Sequence, residues 1–172
     1  IGVTGVQTCA LPISVLGKAL GGGFIPVSAV GGRADVVLSL KPGTHGSTFC
    51  SNPMSCAISD AAVRVILEQD LVSNSQKQGD YLQILLNQIK NKYAYVDFIK
   101  EVRGRGLAIG VEINSQKYNI EQLVQIILEN GMLIKSSHGK TLRISPPLTI
   151  TPALVEEGAE IIDKSIQQYL NL

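Results

Sequence analysis

Residues 15–23 read Val15-Leu16-Gly17-Lys18-Ala19-Leu20-Gly21-Gly22-Gly23, a lysine closing a short apolar run and followed by small residues and three consecutive glycines. A lysine amine is chemically useful only once neutral, and an apolar setting favours that form by disfavouring the ammonium. Glycines beside it let a bulky group lie against bare backbone. Taken alone, the stretch describes a solvated lysine next to a flexible loop equally well. The residues on either side decide between the two.

Upstream, residues 1–14 show no clear periodicity and carry Cys9 and Pro12. They are expected to be a non-native leader, akin to a translated adapter, and are set aside; the alternative is a real strand and turn leading into Lys18. The whole chain has 172 residues, roughly one domain, and its 45% hydrophobic content suffices for a packed core. Fifteen basic residues balance 14 acidic ones, and no long single-sign run offers a surface to nucleic acid or anionic lipid. The expected partners are small molecules or protein. Cys9, Cys50 and Cys56 lack the spacing of a disulfide framework or zinc site, so no metal is expected and a reducing compartment is. With no apolar run near the length of a membrane span and no secretory signal, the chain reads as intracellular.

Downstream of the glycines, Phe24 to Val30 reads as a short apolar strand interrupted by Pro26, and Arg33 to Leu40 as a short helix. The stretch from Lys41 to Pro53 is rich in turn formers and hydroxyls that could donate to an anion. His45 within it reads as structural rather than catalytic. Asn52 caps and Pro53 starts a helix whose Met54, Ala57, Ile58, Ala61, Ala62, Val65 and Ile66 form a stripe expected in the core. A second helix is expected from about Leu71 to Lys92.

Beyond Val96 the period changes to two, with Leu107, Ile109, Val111 and Ile113 on one face of a half-buried strand. Gly104-Arg105-Gly106 opens that strand rather than a helix, which excludes a dinucleotide loop. Asn119 with Gln122 predicts a capping box and Gly131 the end of the helix it starts, followed by a strand over Met132 to Lys135. Ser137-His138-Gly139-Lys140 turns the chain into a strand from Thr141 to Ser145, which places Arg143 among apolar neighbours. Its guanidinium fork fits either a structural carboxylate or a substrate carboxylate. A last helix runs from Thr151-Pro152 to about Leu170, so the chain after Glu101 is a strand-rich α+β unit.

These pieces in this order resemble the class III, fold-type-I aminotransferases that use pyridoxal phosphate (PLP), most closely their ornithine-using members, from Val15 essentially to the C-terminus. The carrying motifs are Leu16-Gly17-Lys18-Ala19-Leu20-Gly21-Gly22-Gly23, Pro26-Val27-Ser28-Ala29-Val30, Lys41 to Phe49 with Asn52-Pro53, Val102-Arg103-Gly104-Arg105-Gly106-Leu107, and His138-Gly139 before Arg143-Ile144-Ser145-Pro146-Pro147-Leu148. Cys50-Ser51 departs from the pattern, standing where the family usually has two glycines, and Ser137 stands where the ornithine-using members usually have threonine.

The resemblance implies an α/β fold: the end of the PLP-binding large domain over residues 15–70, then a connecting helix and an α+β small domain over 71–172. It implies that Lys18 is catalytic and binds the cofactor covalently, and that Thr48, with Ser47 beside it, binds the cofactor phosphate of the neighbouring subunit in a homodimer. Arg143 would meet a substrate carboxylate. The implied reaction moves the terminal amino group of ornithine to 2-oxoglutarate, giving glutamate semialdehyde and glutamate in a ping-pong cycle, in the cytoplasm or in the mitochondrial matrix of a eukaryote. Acetylornithine and 4-aminobutyrate are the alternative amines. Family members are much longer, so the chain is expected to be a C-terminal fragment, inactive alone. A noncatalytic dimerisation module is the competing class, disfavoured because contacts alone need none of Lys18, Thr48 and Arg143.

Overall fold

A computed structural model of the chain describes residues 13–44, 46 and 52–171, which belong to two compact units, the first ending at Gln69 and the second starting at Asp70. In the first unit, strand β1 (Ile13–Leu16) pairs antiparallel with β2 (Ala29–Gly32), in the register Val15 to Val30 and Leu16 to Ala29. Ile13 and Ser14, from the stretch read as a leader, are therefore part of a paired strand. Strand pairing begins at Ala29, later than Phe24; Pro26, which has no N–H to give a ladder, lies in the unpaired stretch between them. Helix α1 (Ala34–Val37) is shorter than expected, and Arg33 before it forks onto Asp35 at 3.0 and 2.8 Å.

Helix α2 (Pro53–Glu68) starts where the sequence says: Asn52 Oδ1 accepts from the N–H groups of Met54 and Ser55 at 3.0 and 3.3 Å, and proline opens the first turn. Its apolar stripe is not core. Met54 is 65% and Val65 41% exposed, and Ser55 is the one buried residue of the helix. Helical spacing marks the face that favours burial. It does not say that the covering layer exists in the same unit, and a two-stranded ribbon with one turn is too small to supply it.

The second unit is a four-stranded antiparallel sheet in the order β3-β4-β6-β5, built from β3 (Ile99–Arg105), β4 (Ala108–Ile113), β5 (Lys135–Ser137) and β6 (Thr141–Ile144). Helices α3 (Leu71–Lys92), α4 (Ile120–Glu129) and α5 (Pro152–Leu170) supply the other layer. Leu86, Leu123, Ile127 and Ile166 from the helices meet Val111 and Leu142 from the sheet in the core, all 0% exposed. Asn119 Oδ1 accepts from the N–H groups of Glu121 and Gln122, as expected, but its own N–H donates to the Tyr169 hydroxyl at 2.9 Å. The cap is thus closed by α5, not by the Gln122 side chain.

Strand β3 was not expected. Its sequence Ile-Lys-Glu-Val-Arg-Gly-Arg lies at the sheet edge with a register irregularity between Ile99 and Glu101, which breaks the alternation that would reveal it. Strand β5 starts at Lys135, where the Met132 to Lys135 run was expected to end. The turn between β5 and β6 places His138 and Gly139 at φ 54 and 65°, the consecutive left-handed pair of a tight hairpin. Gly104 and Gly106 lie at the hairpin between β3 and β4, the turn expected before the alternating strand.

Candidate active site

Lys18 is the first residue of the 3-10 turn and has φ 56°, a left-handed conformation that costs a side chain-bearing residue about 1–2 kcal/mol. The Gly22 N–H holds the turn closed by donating to the Ala19 carbonyl at 2.9 Å. The turn also rests on α2: a Cβ built on Gly22 would lie 3.2 Å from the Ala62 Cβ. A Cβ on Gly23, at φ 82°, would meet nothing within 4 Å, so bare backbone does face open space near the lysine. Among the described residues of this unit the expected apolar enclosure is absent. Lys18 is exposed, and Val15 and Leu16 before it are 76% and 52% exposed, because both strands of the ribbon are exposed throughout.

Ser47, Thr48 and His45 lie outside the described residues, as do Cys9 and Cys50. Cys56 is exposed on α2. Among the described residues no cluster of His, Cys, Asp or Glu could hold a metal, and no helix is long and apolar enough to cross a membrane.

In the second unit Arg143 stands on the open face of β6, exposed, while Leu142 and Ile144 on the opposite face are 0% and 4% exposed. Its apolar sequence neighbours therefore do not bury it. No acidic side chain among the described residues lies within ion-pair distance of it, so of the two partners that the sequence left open, no structural carboxylate is present among them. Arg143 lines a cleft of about 500 Å³ with the apolar Met132–Ile134 segment and Pro146-Pro147, and Glu157 lines the same cleft.

Cross-strand register adds a feature that the strand-by-strand reading missed. On the open face Arg103, Gly110, Arg143 and Lys135 form one row across all four strands, and Glu101, Glu112, Thr141 and Ser137 form the next. Arg103 Nη1 turns to the acidic row, donating to Glu101 and Glu112 at 2.8 Å each, and Lys140 Nζ donates to Glu112 at 3.0 Å. Only a loop of three residues, His138 to Lys140, pairs Ser137 with Thr141 and hence Lys135 with Arg143; a two-residue turn at His138-Gly139 would have paired Lys135 with Leu142. That count needs the β5 boundary, which the sequence misplaced.

The hydrogen bond from Lys140, and after it that from Arg103, holds the Glu112 carboxyl below its ordinary value. A group with a lowered folded pKa stabilises the fold above its unfolded pKa and loses that contribution as pH falls through the folded one. Glu112→Gln is thus expected to melt below wild type at neutral pH. The gap should close as the medium is acidified past the ordinary carboxylate range, which melting curves at a series of pH values measure directly. A gap that stays constant into acid would remove the ionised Glu112 as its source.

The sequence matches the family model described as aminotransferase class-III over residues 9–166. It is 45% identical over 151 residues to the mitochondrial ornithine aminotransferase of Arabidopsis thaliana, covering 86% of this chain and 31% of that protein. With the ornithine aminotransferase of Staphylococcus carnosus it shares 42% identity over 154 residues, covering 90% and 37%. The fold superposes on the ornithine aminotransferase of Toxoplasma gondii, a crystal structure with partial occupancy of PLP at its active site, with a TM-score of 0.87 at 39% identity over 93% of this chain and 37% of that one. The acetylornithine aminotransferase of Elizabethkingia anophelis gives 0.85 at 37% identity, covering 92% and 41%. The chain spans about a third of the length of the curated relatives it matches.

Proposed function

We propose, since this chain belongs to the class-III aminotransferase family, that the protein carrying it is a PLP-dependent transaminase moving the terminal amino group of ornithine to 2-oxoglutarate, with glutamate semialdehyde and glutamate as products. The observation that carries the reading is Lys18, an exposed amine on a left-handed turn beside open glycine backbone, in a chain 45% and 42% identical to two ornithine aminotransferases. On this reading residues 15–70 belong to the cofactor-binding large domain and 71–172 to the small domain.

PLP, when bound, supplies an electron sink and a carrier for the migrating nitrogen. Lys18 Nζ is the atom that would hold it and, as a neutral amine, take and return a proton at the carbon that bears that nitrogen. The exposure of Lys18 in this chain fits a site closed by further surface, since a desolvated amine is the one that becomes neutral. Ser47 and Thr48 would offer hydroxyls to the cofactor phosphate of the neighbouring subunit in a homodimer. Arg143 would take a carboxylate of 2-oxoglutarate or glutamate through its fork. The likeness to an acetylornithine aminotransferase makes acetylornithine the runner-up amine.

Arg143→Lys in the whole protein tests the substrate role by keeping the charge and losing the bidentate geometry. The 2-oxoglutarate half-reaction should fall by about 10–100-fold, the range of a charge-assisted hydrogen bond, with the ornithine half-reaction changed far less. Melting should shift by no more than about 0.5 kcal/mol, as for an exposed site. Single-turnover rates of both halves, measured with ornithine and acetylornithine as donors, check the residue and the amine together. Equal loss in both halves with a large fall in stability would take Arg143 off the site.

A further inference from the structure

We infer that Asn74 is a positioning residue for the acceptor half-reaction: near the N-terminus of α3, its carboxamide pins the loop that walls the Arg143 cleft. The inference rests on the transaminase reading above, with a substrate carboxylate at Arg143. Arg143 itself is held by the sheet, because it is paired with Gly110 on β4 and with Lys135 on β5. The chain that follows has no such ladder. It is the connection of residues 145–151 between β6 and α5, of which Ser145, Pro146, Pro147, Thr149 and Ile150 line the cleft with Arg143. Pro146 and Pro147 have no N–H to give. Among the described residues the one backbone hydrogen bond within this connection runs from the Ile150 N–H to the Pro147 carbonyl at 3.0 Å.

Asn74 supplies what the loop lacks. Its Nδ2 donates to the Leu148 carbonyl at 2.6 Å and to the Ile150 carbonyl at 3.1 Å, so both amide protons go to the carbonyls on either side of Thr149. The buried Gln78, one turn further along α3, donates to Asn74 Oδ1 at 3.4 Å and so sets which edge of the carboxamide faces the loop. The mount is rigid, since Leu82, Leu86 and Ile89 of the same helix are in the core. Asn74 does not itself line the cleft, so its effect on a bound carboxylate passes through the loop. A loop anchored at two carbonyls keeps one width of cleft. Freed from them it samples several, and apparent affinity falls by the fraction of molecules in which the wall is in place. Once a ligand has selected that form, the chemistry proceeds as before. The loss therefore belongs to KM rather than to kcat.

The test uses the whole protein loaded with PLP and compares wild type with Asn74→Asp and Asn74→Ala. Aspartate keeps the shape of the side chain and, ionised, has no proton to donate. Asn114→Ala is the control: it deletes a buried amide that donates to Asp97 at 2.9 Å, beyond the end of β4 that pairs with Thr141 and so away from the loop. In both Asn74 variants the Ile150 N–H should exchange with deuterium about tenfold faster, as a locally opened turn does. The KM for 2-oxoglutarate should rise about tenfold with kcat within about twofold of wild type. Glutarate, an unreactive dicarboxylate titrated by calorimetry, should bind more weakly by the same factor, and the ornithine half-reaction should keep its rate. Unchanged exchange at Ile150 overturns the inference, and so does faster exchange with unchanged KM and glutarate affinity. Equal loss in both half-reactions, an equal rise in KM in Asn114→Ala, or an Asn74→Asp variant that behaves as wild type would each leave Asn74 a residue of the fold alone. Absence of amino transfer by the wild-type protein would instead sink the transaminase reading, and exchange at Ile150 would still show whether Asn74 holds the loop.

Discussion

Lys18→Ala is expected to abolish turnover, by at least about three orders of magnitude, and to leave no cofactor attached after borohydride reduction and denaturation. The variant removes the atom proposed to hold PLP and the base proposed to move the proton, and a positioned acid–base group alone is worth about 10²–10⁴-fold. Lys18→Arg separates chemistry from charge: arginine does not deprotonate in a protein, so it should be as inactive as alanine. Lys18→Gly separates chemistry from folding. At φ 56° glycine carries no steric penalty, so this variant should be inactive and at least as stable as wild type, as where a strained residue is retained for function. Cofactor still fixed to the Lys18→Ala protein by borohydride would remove Lys18 from the active site.

The second unit was the more legible in sequence because its core closes on itself. The spacing along α3, α4 and α5 and the alternation along β4 each bury the face they mark, and Asn119 and Thr151 cap where the pattern begins. In the first unit the same signal outran the cover: the α2 stripe has helical period, yet Ile58, Ala62 and Ile66 are only half-buried and the rest exposed, because the described two-stranded ribbon and short turns are too small to cover it. The apolar run before Lys18 is likewise exposed among the described residues, so what would desolvate the amine is not written in this stretch.

Register was the other limit. Motifs identify residues one at a time, so Lys18 and Arg143 stand out, each in a distinctive run. Lys135 is a common residue in an unremarkable Ile-Lys-Ser, and its pairing with Arg143 depends on where β5 begins. Edge strand β3 stayed hidden because its two apolar residues, Ile99 and Val102, are three apart and sit across a register irregularity. Long-range pairing is written in two segments at once, and neither segment alone reveals it.

The largest stability effect is expected at Gly79, in the middle of α3. A Cβ there would lie 2.2 Å from both the carbonyl carbon and the carbonyl oxygen of Gly106. The contact is backbone against helix, so no flexible side chain can swing away. Gly106 is itself fixed: it has φ 53°, a Cβ on it would lie 2.7 Å from Ser75 Oγ, and the Leu107 N–H donates to that same hydroxyl at 3.2 Å. Two effects of opposite sign compete in Gly79→Ala. Helix propensity favours alanine by about 1 kcal/mol. Forcing helix and hairpin apart costs about 1–3 kcal/mol in ordinary overpacked cores and more where the neighbour is rigid. Distances this far below van der Waals contact decide for the second, and a net loss of about 2 kcal/mol should lower the melting temperature of a unit this size by roughly 8–16 °C. Gly158→Ala in α5 is the control, because a Cβ there meets nothing within 4 Å and propensity acts unopposed. It should raise stability by up to about 1 kcal/mol. Because the displaced hairpin carries Gly110 next to Arg143, Gly79→Ala should also slow the 2-oxoglutarate half-reaction of the whole protein although it touches no ligand. Equal melting of the two alanine variants would mean that helix α3 and the β3–β4 hairpin do not approach by bare backbone, and the seat of the cation row would have to be redrawn.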